Sequence, residues 1–583
     1  MRIIHRLTQY QRLFQKFGEN LASTTVSEVA GLLFCSERHT RTLIQQLQAN
    51  GWLSWHSQVG RGKRAHGWLS WHSQVGRGKR AQLQCLKSPD TLRATYMQAF
   101  LEQGDHQAAL ELAQLEPERL QALLNPHMGG QWQADSPVLR IPYYRMLEPL
   151  NPLTATGRAE QHLIYTLHAG LTRFNTGCPQ PQPDLAHHWQ VSDDGLTWQF
   201  FLRSQLRWHN GERLQGQQLL QTLKLLRANT RSQPSFTNIL TIALPHALCL
   251  QFTLSQPDYW LAHRLADLPC RLFHPEHPLL GAGPFKLATF EQHLVRLEQH
   301  EFYHLQHPYL EIIEYWITPN LMVQSTDGSC QHPVRITIGQ EEDFPLARPV
   351  QRSMSLGFCY LAVNQHRSNM TSQQLARLLM LVQTSGILEE LSIRRGIITP
   401  SHEMLPGWPI PRFASDNDSP LPAHLILIYQ PPMELKSVAE QLKVVLAAQG
   451  CTLEIRASHD KQWKDSHQIE KADLLLADHL VGESPEAAME SWLRLDPLWR
   501  GILSPSQWEQ QQKTLTHIQQ IELASERHHQ LREHYNDLML SGLILPLFNY
   551  QYQVNAPPRI NGVTLTAYGW FDFSQAWLPP TAT

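Results

Sequence analysis

The sequence predicts a multidomain chain: an N-terminal α+β winged helix-turn-helix head, then a large α/β body of two lobes. Three observations predict this. Residues 1–90 hold 13 of the 49 Lys and Arg but only 4 of the 51 Asp and Glu, a balance of +9 against −11 for the remainder. Those same residues show three amphipathic helical patterns, a strand pattern and a basic, Gly-rich turn. Beyond residue 137 the pattern changes to strands alternating with helices, the rhythm of βαβ units. At 583 residues the chain is long enough for several domains.

The first helix runs from about Ile3 to Phe17, with Leu7, Tyr10, Phe14 and Phe17 on one face. Thr25 and Glu28 form a capping-box pattern for a second helix, in which Val26, Val29, Ala30 and Leu33 repeat at helical spacing. After a break at Phe34-Cys35, Ser36 caps a third helix that reaches Ala49 and stops at Asn50-Gly51. This third helix has two faces. Thr40, Leu43, Ile44 and Leu47 form a stripe to bury. Arg38, Arg41, Thr42 and Gln45 form the opposite face, where guanidinium, hydroxyl and amide groups suit base edges and phosphates.

Gly51 to Trp55 alternates like a strand. Gly60-Arg61-Gly62-Lys63-Arg64 follows as a turn whose glycines allow close approach to a phosphate. Beside a recognition helix such a hairpin is a wing. It is no nucleotide P-loop: Ser57 and Arg64 stand where that motif needs Gly and Ser or Thr. The string GWLSWHSQVGRGKRA occurs at 51–65 and again, unchanged, at 67–81. The second copy adds Arg77, Lys79 and Arg80. One wing needs only one copy, so the return strand near Leu83–Leu86 must choose. Pairing with 51–57 is favoured, because Trp52 and Leu53 directly follow the third helix and can pack on its apolar stripe.

The head is therefore assigned to 1–90, a helical linker to 91–135 and the body to 136–583. In the body, Leu425–Tyr429 reads as a buried strand, Glu434–Gln449 as a helix ending at Gly450, and Leu453–Ile455 and Leu474–Leu476 as further strands. Trp198–Leu202 and Val334–Ile338 read as strands of a mixed sheet. A cleft between two such lobes suits a small molecule. Tyr143, Tyr144, Arg173, Trp208, His209 and Asn210 are candidate contacts, combining aromatic faces with polar tips.

Several classes are disfavoured. No apolar run approaches the roughly 18 residues of a membrane span. The first residues lack a signal peptide's apolar core, so a cytoplasmic location is expected. The eight cysteines form no CxxC pair. No HExxH, GxSxG or complete P-loop is present, so no enzyme activity and no cofactor is expected. His187-His188 and His274-Pro275-Glu276-His277 read as packed or surface histidines rather than metal ligands.

The head resembles the N-terminal domain of SgrR-type bacterial transcription regulators, through CSERHTRTLIQQLQANGWLSW and VGRGKRA. The body resembles the family 5 extracellular solute-binding proteins, through DLAHHWQVSDDGLTWQFFLRSQLRWHNGERL (184–214), GAGPFKL (281–287) and NGVTLTAYGWFDFSQAWL (561–578). The resemblance implies a periplasmic-binding-protein-like body turned sensor, double-stranded DNA and a small-molecule effector as partners, and a sugar phosphate or similar compound as effector. The duplicated wing departs from the family pattern. The competing reading is a cytoplasmic peptide- or metal-binding protein whose head scaffolds another protein. Oligomeric state, operator and direction of regulation are not encoded in any recognisable motif.

Overall fold

Thr25 ends an extended segment, and its side chain accepts the Glu28 amide while the Glu28 carboxylate accepts the Thr25 amide. This reciprocal cap starts the second helix where the sequence places it. The structure, a computed structural model, describes residues 2–57, 80–102, 105–113, 127–143, 145–155, 157–317, 349–351, 357–389, 398–414, 419–430, 433–458, 469–550, 553–555, 560–566 and 571–580. Contacts divide the chain after Pro126.

The head orders its elements as α1 (Arg2–Phe17), β1 (Ala22–Thr24), α2 (Val26–Leu33), α3 (Glu37–Ala49), β2 (Leu53–Ser57), β3 (Ala81–Cys85), α4 (Pro89–Glu102) and α5 (His106–Ala113). Its sheet runs β1-β3-β2, antiparallel throughout. Leu53 pairs with Cys85 and Ser57 with Ala81, so the return strand takes the first copy of the repeat, the favoured register. Residues 58–79, which hold the rest of the first copy and all of the second except Arg80 and Ala81, lie outside the described residues.

Leu7, Tyr10 and Leu13 of α1 meet Val29, Leu33, Leu43, Ile44 and Leu47 in one core, closed by Trp52 and Leu83. The Tyr10 hydroxyl lies 2.7 Å from the carbonyl oxygens of both Trp52 and Lys87. Its single proton serves one at a time. Leu92 and Leu112, from the segment expected as a helical linker, are buried in the same core. Arg93 on α4 donates to Gln11 on α1 at 2.5 Å.

In the body a first lobe holds two sheets. One has the strands Phe285–Phe290, Leu294–Gln299, Ile312–Ile317, Ser136–Tyr143 and Gly129–Gln133 in that spatial order. Only the Ile312–Ile317 and Ser136–Tyr143 pair is parallel. The other is an antiparallel sheet of four strands that includes Thr197–Leu202. The second lobe is built on a six-stranded sheet. There His424–Tyr429 runs parallel to Thr452–Ala457 and to Leu474–Leu480, joined by the helix Met433–Ala447, as the βαβ pattern predicts. The rest of that sheet is antiparallel, because Gly357–Val363 enters between Leu474–Leu480 and Ile544–Tyr550 in the opposite sense.

Strand alternation explains how this sheet is covered. Phe358, Tyr360 and Ala362 join a core with Trp492, Trp499 and Tyr535, while Cys359, Leu361 and Val363 join another with Leu378, Leu442 and Leu453. A strand buried on both faces is apolar at every position. Val334–Ile338 lies outside the described residues. Among the described residues no helix is long and apolar enough to cross a membrane.

Candidate nucleic-acid face and candidate ligand cavity

On α3, Thr40, Leu43, Ile44 and Leu47 are buried, and Arg38, Arg41, Thr42 and Gln45 are exposed on the other side. Ser36 caps the helix by accepting the His39 amide at 3.3 Å. Arg41 donates to Glu37 at 3.2 Å, one turn back. That exposed pair contributes little stability, but it biases where the guanidinium points. The turn into α3 is made by Phe34, a non-glycine residue at φ 51°. Its ring is exposed and carries the Arg12 guanidinium 5.3 Å from its centroid. Arg80 is exposed at the entry to β3, and its charge helps hold the Glu28 carboxyl below the usual range, after the hydrogen bonds from Thr24 and Thr25. Arg61, Lys63, Arg64, Arg77 and Lys79 lie outside the described residues.

The body encloses a cavity of about 470 Å³. Its walls come from the helix Arg158–Leu167, the hairpin residues Arg173 to Thr176, Tyr303 and Gln306, Glu483 of the second lobe, and Thr564, Thr566 and Asp572 to Gln575. The GAGPF string shapes one wall. A Cβ on Gly281 would stand 2.1 Å from the Leu167 carbonyl oxygen, and one on Gly283 2.4 Å from that of Thr166. Only glycine lets this segment cross the end of the helix Arg158–Leu167 so closely.

Asp184 is the charged centre of the wall. It is buried, and it accepts the Gly170 amide at 2.9 Å, Arg271 at 3.4 Å and His304 Nε2 at 2.8 Å. Burial pushes its pKa up, but the hydrogen bond and charge of His304 and the charges of Arg271 and Arg173 outweigh that and hold it low. The Arg271 guanidinium lies 3.6 Å from the Tyr165 ring centroid and also donates to the Ala266 carbonyl. Burial raises the Tyr303 hydroxyl, with Asp184 adding to it. His162 and His168 are driven down to about 3 by burial, so both stay neutral near neutral pH. Arg173 Nε is buried without a hydrogen-bond partner.

Of the six residues singled out from sequence, Arg173 lines the cavity. Tyr143 is buried in the first-lobe sheet, where it continues the parallel pairing opposite Ile317. Trp208 is fully buried, donates to Gln218 at 3.0 Å and packs edge-on against His274. His209 sits behind the wall, between the Gly281 amide and the Gly283 carbonyl, 4.8 Å from the His300 ring. Asn210 closes its own turn by accepting the Glu212 amide. Tyr144 lies outside the described residues. Asp184, Arg271, Tyr165 and Tyr303 were not anticipated. Asp184 opens the string quoted for the solute-binding resemblance, and an acid set against Leu185-Ala186 was the available signal. Among the described residues no group of three or more His, Cys, Asp or Glu is placed to hold a metal.

A winged helix-turn-helix with an exposed polar helix face, joined to a two-lobed solute-binding fold with a cavity, defines a class of two-part protein. The chain belongs to the YbaE family, and its N-terminal part matches an SgrR family model. The family described as "Sugar transport-related sRNA regulator N-term" matches residues 5–66 and 65–135. That match breaks in two between the repeat copies. "Bacterial extracellular solute-binding proteins, family 5 Middle" matches residues 180–378. The chain is 45% identical to the "Uncharacterized protein YbaE" of Escherichia coli (strain K12), over 99% of each. It is 26% identical to the "HTH-type transcriptional regulator SgrR" of Yersinia enterocolitica, again over 99% of each. Among solved structures, NikA of Brucella suis in complex with Fe(III)-EDTA matches 76% of this chain and 100% of its own, with a TM-score of 0.64 at 15% identity. HbpA2 of Haemophilus parasuis matches with a TM-score of 0.61. At such identities the likeness shows the fold alone.

Proposed function

We propose that this protein is a transcription regulator that binds duplex DNA through its head and senses a small metabolite in the cavity of its body. The observation that carries the reading is the exposed face of α3, where Arg38, Arg41, Thr42 and Gln45 stand clear of a core that holds the helix rigidly. Arginine forks read guanine or clamp phosphate, and amide and hydroxyl tips reach other base edges. The two arginines carry base readout, and the basic residues of the duplicated segment, from Arg61 to Arg80, carry backbone contacts. In this reading the head meets DNA and the body senses, while the 91–135 segment gives Leu92 and Leu112 to the head core and Gly129–Gln133 to a body sheet. A protein with this task works in the cytoplasm, where the DNA is.

For the effector, the chemistry of the lining favours a compound with many hydroxyls and one anionic group. Thr166, Thr176, Thr566, Ser574 and Gln575 offer hydroxyl and amide partners, and Arg173 offers a guanidinium with a nitrogen to satisfy. A sugar phosphate has both features. The DNA test is a binding titration of the full chain against operator and random duplex at several salt concentrations. Each phosphate neutralised adds about −0.9 to the log–log slope. A flat slope, or no binding at low salt, overturns the reading. The effector test is a thermal-shift screen against phosphorylated sugars, peptides and Ni²⁺. Stabilisation by peptide or Ni²⁺ together with silent DNA titrations would favour the scaffold alternative.

A further inference from the structure

Buried charges join the two lobes outside the cavity. Arg264 stands on the short helix Leu261–Ala266 of the first lobe, whose Leu261, Ala262 and Leu265 belong to the first-lobe core. It pairs with Asp258 on its own side and reaches both carboxylate oxygens of Glu490 at 3.2 Å. Glu490 stands on the helix Pro485–Leu495, whose Met489, Trp492 and Leu493 belong to the second-lobe core. Arg494 meets the same carboxylate at 2.6 Å. The side chains of Arg264 and Glu490 are 9% and 1% exposed. Around them the Tyr259 amide donates to the Gln519 carbonyl at 2.9 Å, and the Arg527 guanidinium lies 4.8 Å from the Trp260 ring centroid.

Each partner is tied to a cavity wall. On the first-lobe side, the Ala262 carbonyl accepts from Thr172 at 2.6 Å, one residue before Arg173. His263 packs against Phe174, and the Ala266 carbonyl accepts from Arg271. On the second-lobe side, the helix that carries Glu490 begins at Pro485, two residues after Glu483, the second-lobe residue in the cavity lining. The Arg264–Glu490 contact thus closes a loop of connections: cavity wall, short helix, ion pair, long helix, opposite wall.

We infer that Arg264 and Glu490 are positioning residues for the ligand cavity, setting the separation of its walls without touching the ligand. The inference rests on the cavity being the ligand site. A buried ion pair suits this task better than apolar packing does. Its attraction is largely offset by the water its groups give up, so it fixes geometry without locking the lobes together. Carboxylate and guanidinium also demand a defined orientation, which an apolar contact does not.

The test uses the full chain without added ligand. Glu490→Gln keeps the shape and removes the charge. Glu490→Asp keeps the charge and shortens the reach, and serves if the first variant fails to fold. Glu314→Gln is the control: Glu314 is fully buried against Arg140, within one sheet of the first lobe. Both Glu490 variants should raise amide exchange at residues 172–174 and 481–484 about tenfold over the control, and enlarge the radius measured by small-angle scattering. If they lower the melting temperature like the control but leave exchange at those segments and the radius unchanged, the pair is a static brace and the inference fails. DNA titration of the same samples separates this from the functional proposal: loss of salt-dependent DNA binding in the wild type would sink that proposal and leave the exchange result standing.

Discussion

Helix α3 and the cavity wall use arginine in opposite ways. Arg38 and Arg41 stand exposed on one helix, opposite the stripe that buries its other side. Arg173 and Arg271 stand on separate segments of the wall and Arg264 on the contact outside it, and Arg264 and Arg271 are buried against carboxylates from distant parts of the chain. A phosphate backbone is a repeated charge, so its reader needs accessible cations with water to displace. A small ligand is a single object, so its reader needs groups whose charges are already balanced and whose positions are fixed before it arrives. The first arrangement is local in sequence and the second is not.

Histidine sharpens this contrast and gives the largest expected effect. Burial drives His162, His168, His263 and His479 down to about 3, helped at His168 by the Arg271 charge and at His263 by Arg527 and Arg264. All four lie in the body. In the unfolded chain each takes a proton below about 6.5. The unfolded state therefore binds more protons, and body stability falls as pH drops from 6.5, levelling only near 3. Each histidine contributes about 1.4 kcal/mol per pH unit within that window. Hydrogen exchange resolved by segment, between pH 8 and pH 5, should show protection in the body collapsing on acidification. A body whose protection stays constant across that range would mean these rings are hydrated and the packing described here is wrong.

Much of the head was legible because each of its signals acts within one turn or one strand. Thr25 with Glu28, Ser36, and the Thr40–Leu47 stripe each fix an element using neighbours three or four residues away. The βαβ segment from His424 to Leu480 was legible for the same reason. The cavity was not. Asp184 meets Arg271 and His304 across 87 and 120 residues, and nothing in the spacing announces those partners. Trp208 and Asn210 attracted attention by residue type, but type does not distinguish a ring filling a core from a ring facing a ligand. The strand Gly357–Val363 shows the same limit for folds: its composition marks it as buried on both faces but does not reveal that it runs antiparallel to both neighbours.

Replacing single residues on α3 tests the other half of the comparison. Arg38→Ala should cost roughly 1–3 kcal/mol at a specific site and much less on random duplex. Arg41→Ala should do the same, whereas Glu37→Gln, which removes a carboxylate and frees the Arg41 guanidinium, should slightly strengthen binding to random duplex. Equal losses on specific and random DNA would reduce both arginines to phosphate clamps. Thr25→Ala removes the side-chain half of the capping box and should lower head stability by about 1 kcal/mol, read from denaturant midpoints, with the body unaffected.

The smallest expected effect concerns the repeat. Deleting residues 66–81 leaves Arg64-Ala65 joined to Gln82, which restores the sequence that now enters β3 as Arg80-Ala81. Because β3 pairs with Leu53–Ser57 of the first copy, the deletion keeps every paired residue of the sheet or replaces it by an identical one. Loop closure changes little, since its entropy grows only with the logarithm of length. Fold and sequence preference should therefore persist. What is lost is charge: Arg77, Lys79 and Arg80 go, and with Arg64 taking the place of Arg80 the head keeps one basic GRGKR string instead of two. If the lost residues reach phosphates, the log–log salt slope should become shallower by up to about 0.9 for each contact removed. An unchanged slope with intact folding would make the second copy a passenger. Unfolding of the head on deletion would place the core strand in the second copy, overturn the pairing of Leu53 with Cys85, and reverse the assignment of which copy builds the sheet.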